Sequence, residues 1–245
     1  MQRRFSVKRF LSVVALILAV GWAGWQVLEA RTGPAVRLLP SLVRQRLALG
    51  YPPGAGAPVY VPLTGIPLTL REAVVATEDR SFWTNPGIDP EGILRSALVD
   101  LYSRQFVQGG STITQQLARD LLLDPNKTVA RKSKEILLAL VITRFYPKQV
   151  ILEMYLNEIY LGHGAYGVER AARVYFGDTP NRLSAAQSVM LAGLPRGPSL
   201  YDPYVNLQAA RAREREVLDN MVEAGYLTKA GADRIYAQPL GLSRG

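Results

Sequence analysis

The nineteen residues from Phe10 to Leu28, FLSVVALILAVGWAGWQVL, carry no charge. At about 1.5 Å per residue, a helix of that length spans roughly 28 Å, close to a bilayer's hydrocarbon core. Trp22 and Trp25 stand near its far end, where indoles favour the membrane interface. Arg3, Arg4, Lys8 and Arg9 precede or open the run, and positive charge stays on the cytoplasmic side. The pattern predicts a cytoplasmic basic tail at 1–9, a transmembrane helix at 10–28 and an extracytoplasmic remainder. A cleaved signal peptide is the competing reading, but no convincing small-x-small site closes the segment.

Residues 29–68 read as a connector, with Pro52-Pro53-Gly54-Ala55-Gly56 at its centre and a short strand around Val59 to Val61. From Thr69 the apolar spacing becomes helical. Thr69 and Glu72 form a capping-box pattern that opens a helix toward Phe82. Further helices are predicted over Glu91–Tyr102, Thr112–Leu123, Thr128–Phe145, Lys148–Leu161, Val168–Tyr175, Ser184–Leu194, Leu207–Ala224 and Lys229–Gln238. Ile136 to Ile142 is apolar on all sides and is expected to be buried. The fold class is all-α, one domain at 69–238 behind one transmembrane helix.

Composition narrows the chemistry. With no cysteine, disulfides, thiolate metal sites and cysteine nucleophiles are excluded. The single histidine, His163, rules out a multi-histidine zinc centre and reads as a local hydrogen-bonding residue in a glycine-rich turn. Acid–base chemistry falls mainly to carboxylates. The net charge of +9 suits an anionic membrane surface or a phosphorylated substrate.

Three polar runs interrupt the apolar background. Glu78-Asp79-Arg80-Ser81-Phe82 sets adjacent acids at a helix end before the turn-prone Asn85-Pro86-Gly87. One carboxylate can face a cleft and the other support it, although a solvated helix terminus has the same appearance. Gly109-Gly110-Ser111-Thr112-Ile113-Thr114-Gln115-Gln116 opens a helix whose first N–H groups favour an anion or sugar hydroxyls. Capping consumes one hydroxyl and leaves Gln115 and Gln116 unexplained. Gln115 and Arg119 share a face, as do Lys127, Arg131 and Glu135, with Lys132 beside them; a salt-bridged solvated face is the plainer reading of the second set. Glu153 and Asn157 are the polar exceptions on a helix of core type.

The order of EDRSF, GGSTITQQLAR, RKSKE, ILEMYLNEIYLGHGAYGVERAARVYFG and LSAAQSVMLAGLPRGPSLYDP resembles family 51 peptidoglycan glycosyltransferases, from about Val59 to Tyr226. That family comprises monofunctional transglycosylases and the first catalytic domain of class A penicillin-binding proteins. The resemblance implies a lysozyme-like bilobed fold with a small membrane-associated jaw at about 91–108. It implies inverting transfer of a glycan on undecaprenyl diphosphate to the 4-hydroxyl of lipid II, at the bacterial plasma membrane. By position Glu78 matches the general base and Glu135 the second essential carboxylate. Arg119 and Lys127 match the cations that hold the donor diphosphate, with Arg131 and Lys132 extending that field. Ser111, Thr112, Gln115 and Gln116 match the sugar- and phosphate-contacting stretch. A divalent cation, Mg or Mn, is expected at the donor diphosphate; no metal-ligand motif is visible in the sequence.

Two positions depart from the family pattern. Asn85 stands at the first motif's histidine and joins the candidate set, able to hydrogen-bond but not to become cationic. Gln187 stands where the fifth motif carries Glu, and it still completes a capping box with Ser184. A lysozyme-like hydrolase shares the two carboxylates, but it protonates a poor leaving oxygen and has no use for a cationic field. A lipid II-binding module with impaired catalysis, marked by Asn85, is the other class. Expected partners are lipid II and the growing strand, the membrane, and a transpeptidase or division or elongation proteins; nucleic acid is not among them. No SxxK signature occurs, so the chain is expected to make strands without cross-linking them.

Overall fold

The computed structural model describes residues 7–50, 59–92, 110–123 and 128–243. Among these residues the chain is helical, and its only β feature is an isolated bridge between Tyr160 and Tyr166. In chain order the helices are α1 (Val7–Arg37), α2 (Leu39–Gly50), α3 (Leu68–Glu78), α4 (Ile113–Leu122), α5 (Val129–Phe145), α6 (Lys148–Glu158), α7 (Gly167–Phe176), α8 (Ala185–Gly193), α9 (Leu207–Glu223) and α10 (Lys229–Tyr236). The jaw expected at 91–108 lies outside the described residues beyond Gly92.

The expected span Phe10–Leu28 lies within α1. Among the described residues, no helix is long and apolar enough to cross a membrane. Residues 29–50, expected as connector, are helical apart from a turn at Leu38, and Val36, Leu39, Val43 and Leu47 among them join the core. Val36, Leu39 and Val43 are fully buried, because α1 packs on α5 and α2 packs on α6. Gly33 lets this contact close: a Cβ there stands 3.3 Å from the Phe145 ring. The Tyr146 hydroxyl lies 3.1 Å from the carbonyls of both Val36 and Arg37, and shares its one proton between these acceptors at the helix end.

Among the described residues, the segment expected as a strand at Val59–Val61 joins no sheet. Side chains of α6 hold it instead. Asn157 accepts from the N–H of Val61 and donates to its carbonyl, both at 2.8 Å, and Glu153 accepts from the Tyr60 hydroxyl and the Leu63 N–H. These bonds account for the two polar exceptions on that helix. Ile136–Ile142 is less buried than its composition suggests; Ala139, Val141 and Ile142 face the core while Leu137 is exposed.

One cap follows the sequence here and another does not. Ser184 and Gln187 form the expected capping box of α8, and the Gln187 amide also donates 2.9 Å to the Leu240 carbonyl. An ionised glutamate has no proton for that bond. At α3, by contrast, the helix begins at Leu68 after Pro67, and Thr69 makes no cap.

Candidate functional site

α3 brings the first carboxylate to its place. Its buried face, Leu70, Ala73, Val74, Val75 and Ala76, packs against α8 and α9, and the helix ends at Glu78. Glu78 is half-buried at the wall of a cavity of about 380 Å³. Its Oε2 accepts from the Gln116 amide at 2.8 Å, and Gln116 Oε1 accepts from the Tyr155 hydroxyl at 3.1 Å. Because Tyr155 can only donate there, it turns the Gln116 amide so that its N–H side faces the carboxylate. Burial, reinforced by the charge of Glu78, pushes the Tyr155 hydroxyl well above its ordinary range, so it remains a donor. Among the described residues no cation pairs with Glu78.

Asp79 and Asn85 brace the turn behind it. Asp79 is buried and accepts from the Ile113 N–H at 3.1 Å, satisfying one of the donors left open in the first turn of α4. Asn85 is buried and absent from the cavity wall. Its amide nitrogen lies 2.9 Å from Asp79 Oδ1 and 3.1 Å from Ser81 Oγ, and its oxygen accepts from the Gly87 N–H and the Lys148 ammonium. The turn closes on Gly87, at φ 106°, where a Cβ would lie 2.5 Å from the Ala139 carbonyl of α5.

Thr112 is the N-cap of α4: its hydroxyl accepts from the Gln115 N–H and donates to the Gly87 carbonyl, while the Gln115 side chain accepts from the Thr112 N–H. Gln115 is therefore explained by capping after all; it is fully buried and does not line the cavity. Ser111 and Thr112 do line it.

The second carboxylate, Glu135 on α5, is 1% exposed and is held by Arg131 at 3.2 Å and by Lys132. Lys132 also donates to Ser111 Oγ at 2.8 Å, so Glu135 reaches the cavity through Lys132 and Ser111 and not by lining it. Arg119 pairs with Asp120 at 2.7 Å, away from the cavity wall. Burial opposes its charge, but Asp120 and Glu135 more than offset that and raise its pKa. Lys127 lies outside the described residues.

The cavity wall also includes Arg80, from the first polar run, and Arg196, Arg213, Asn220 and Glu223, which the sequence did not single out. Arg213, Asn220 and Glu223 share a face of α9 at spacings of seven and three. Arg80 and Arg196 join them from the turn after α3 and the loop after α8, so only the fold groups all five. Arg80 pairs with Glu223 at 2.7 Å and donates to Asn220, tying the end of α3 to α9.

A family model described as Transglycosylase matches residues 54–222. Penicillin-binding protein 1A of Aquifex aeolicus is 47% identical over 185 residues, covering 76% of this chain and 26% of that protein. Penicillin-binding protein 1A of Escherichia coli is 47% identical over 176 residues, 72% of this chain and 21% of that one. A protein of Cupriavidus necator assigned as a transglycosylase is 44% identical over 185 residues, covering 76% of this chain and 80% of its own length. The chain thus spans about a quarter of the two penicillin-binding proteins and most of the third relative. With motif residues on the cavity wall and a family match over most of its length, the chain belongs to the transglycosylase family.

Proposed function

We propose that the chain is a peptidoglycan glycosyltransferase that polymerises lipid II into glycan strands. The observation that carries this reading is an oriented carboxylate on the cavity wall together with an ammonium that reaches that wall through Ser111. Glu78 is presented by Gln116 and Tyr155, and Lys132 arrives at Ser111. Glu78 accepts the proton of the acceptor 4-hydroxyl as that oxygen attacks the anomeric carbon of the donor. The diphosphate leaves from the opposite face with inversion, and Lys132, backed by Arg131 and Glu135, meets the negative charge that develops on it.

Ser111 and Thr112, on the cavity wall, face the sugar or phosphate oxygens in this reading, and Gln116 acts through Glu78. Asn85, Gln115 and Arg119 act behind the surface in this reading, and Lys127 supplies a further cation. Among the described residues no three acids or histidines gather as metal ligands. Of the four cavity acids among these residues, Glu223 pairs with Arg80, Asp89 accepts from the Gly92 N–H, Asp79 accepts from the Ile113 N–H and Asn85, and Glu78 accepts from Gln116. These residues do not form a cage for a divalent cation, and a Mg or Mn ion would be carried by the diphosphate oxygens.

The finer architecture belongs to the same proposal: a lysozyme-like bilobed domain whose jaw, at about 91–108, rests on the membrane. Phe10–Leu28 is its single-pass anchor in the bacterial plasma membrane, with the catalytic domain outside. Partners are lipid II, the growing strand, and a transpeptidase or division or elongation proteins.

The test is polymerisation of lipid II in detergent, with and without moenomycin. Moenomycin-sensitive strands from the wild type, absent from Glu78→Gln while the variant still binds lipid II, are the expected result. Polymer from Glu78→Gln at the wild-type rate would remove Glu78 as the base.

A further inference from the structure

Asp79 follows Glu78 directly, and its carboxylate is the joint between the end of α3 and the start of α4. One oxygen accepts from Ile113 N–H at 3.1 Å; the other accepts from the Asn85 amide at 2.9 Å and the Ser81 hydroxyl at 3.3 Å. On the far side of Asn85, 2.8 Å from its oxygen, stands the ammonium of Lys148. Lys148 is the first residue of α6, where the helix dipole disfavours a cation. What compensates is the contact itself: the Asn85 oxygen, the Phe82 ring 4.7 Å from Nζ, and the charge of Asp79.

We propose that Lys148 is a positioning residue for Glu78: through Asn85 it holds Asp79 on the first turn of α4, and that joint fixes where the Glu78 carboxylate meets Gln116. The proposal rests on the reading of Glu78 as the base. Asn85 suits the relay because its amide donates at one end and accepts at the other without carrying charge. The groups facing Asp79 are Ile113 N–H from α4, Lys148 and Tyr155 from α6, and Ser81 and Asn85 from the turn, with Glu78 adjacent in the chain. Burial raises the Asp79 carboxyl above its ordinary range, and the Ile113 N–H, Asn85, Lys148 and Ser81 pull it back. Burial likewise lowers Lys148, and Asp79 opposes that. Without the lysine charge Asp79 protonates at higher pH, and as a neutral acid it is a weaker acceptor for Ile113.

The experiment compares wild type, Lys148→Met and Lys148→Arg in two measurements. One is the titration midpoint of the Asp79 carboxyl carbon by NMR; the other is kcat and KM for lipid II across pH. In Lys148→Met the midpoint moves up, the acid limb of kcat moves up with it, and kcat falls by up to about 100-fold with little change in KM. Lys148→Arg keeps the charge and retains more of kcat. Losses in Asn85→Ala and Lys148→Met combine to less than their product in the double variant, because both break one chain of bonds. Should Lys148→Met fail to fold, Lys148→Gln against Lys148→Arg reads the same relay, since both donate and only one is charged. An active wild type whose Met variant keeps both its kcat and its Asp79 midpoint overturns the relay alone. A wild type that makes no polymer removes the functional reading, and this proposal with it.

Discussion

Glu78 and Glu135 are both carboxylates near one cavity, yet their surroundings give them different work. Glu78 accepts one neutral hydrogen bond from Gln116 and is otherwise available to a substrate proton. Glu135 is buried under Arg131 and Lys132, whose side chains are 17% and 38% exposed, so its charge is spent on holding them. Glu78→Gln should therefore cost activity with little change in thermal stability. Glu135→Gln should cost both, because it leaves two cations without their counter-charge. Removing one partner of a fully buried pair costs about 3–5 kcal/mol, and the exposure of Lys132 reduces that figure here. Thermal melts of the two variants side by side separate the roles; equal melting temperatures would contradict the division. The carboxylates and their order were legible in the sequence, as were Ser111 and Thr112 at the cavity. The roles of Asn85 and Gln115 were not, since both residue types contact ligands and close turns equally well, and only burial tells which they do.

Among the elements, α9 shows most clearly what a one-dimensional pattern conceals. Within the run Arg211-Ala212-Arg213-Glu214-Arg215-Glu216, for which the sequence shows only a helix, Arg213 and Glu214 are buried and Arg213 lines the cavity. Arg213 donates to the Gly193 carbonyl and pairs with Glu216 at 2.6 Å; Glu214 accepts from Arg211 at 2.7 Å. The other Glu214 oxygen, Oε1, is buried without a hydrogen bond among the described residues. Burial pushes this carboxyl up from 4.5 to about 7, against the pull of Arg211. Between those two pH values the folded chain holds a proton that the unfolded chain has lost. The contribution to stability is thus full below about pH 4.5 and is lost as pH rises through 7. At 1.36 kcal/mol per unit this is at most about 3 kcal/mol. Wild type should lose melting temperature between pH 5 and pH 8, and Glu214→Gln should lose less over the same interval. Parallel pH dependences in the two proteins would rule Glu214 out as the titrating group.

At the scale of the molecule, the core does not begin where the family match begins. Helix positions from α3 onward among the described residues were legible because each helix carries its own apolar period, and several carry a side-chain cap as well. The Pro- and Gly-rich stretch at 52–56 read as the centre of a connector because nothing local shows that residues before it return to the core. Yet Val36, Leu39 and Val43 are fully buried and Leu47 nearly so, packed in one cluster with residues of α5 and α6. Burying four such side chains contributes roughly 6–12 kcal/mol, comparable with the about 5–15 kcal/mol by which a whole domain is stable. The contact also reaches the site, since α5 carries Arg131, Lys132 and Glu135 on its first turns and meets α1 through Phe145 at its end. A chain starting at residue 29 should fold, keep the α1–α5 contact and melt cooperatively. A chain starting at residue 54, which retains the whole family match, should lose that cluster and with it most of its stability. Circular dichroism melts of the two fragments decide the matter. A cooperative transition for the 54–245 fragment within a few degrees of the longer one would show that α1 and α2 are appended to the catalytic domain and not part of it.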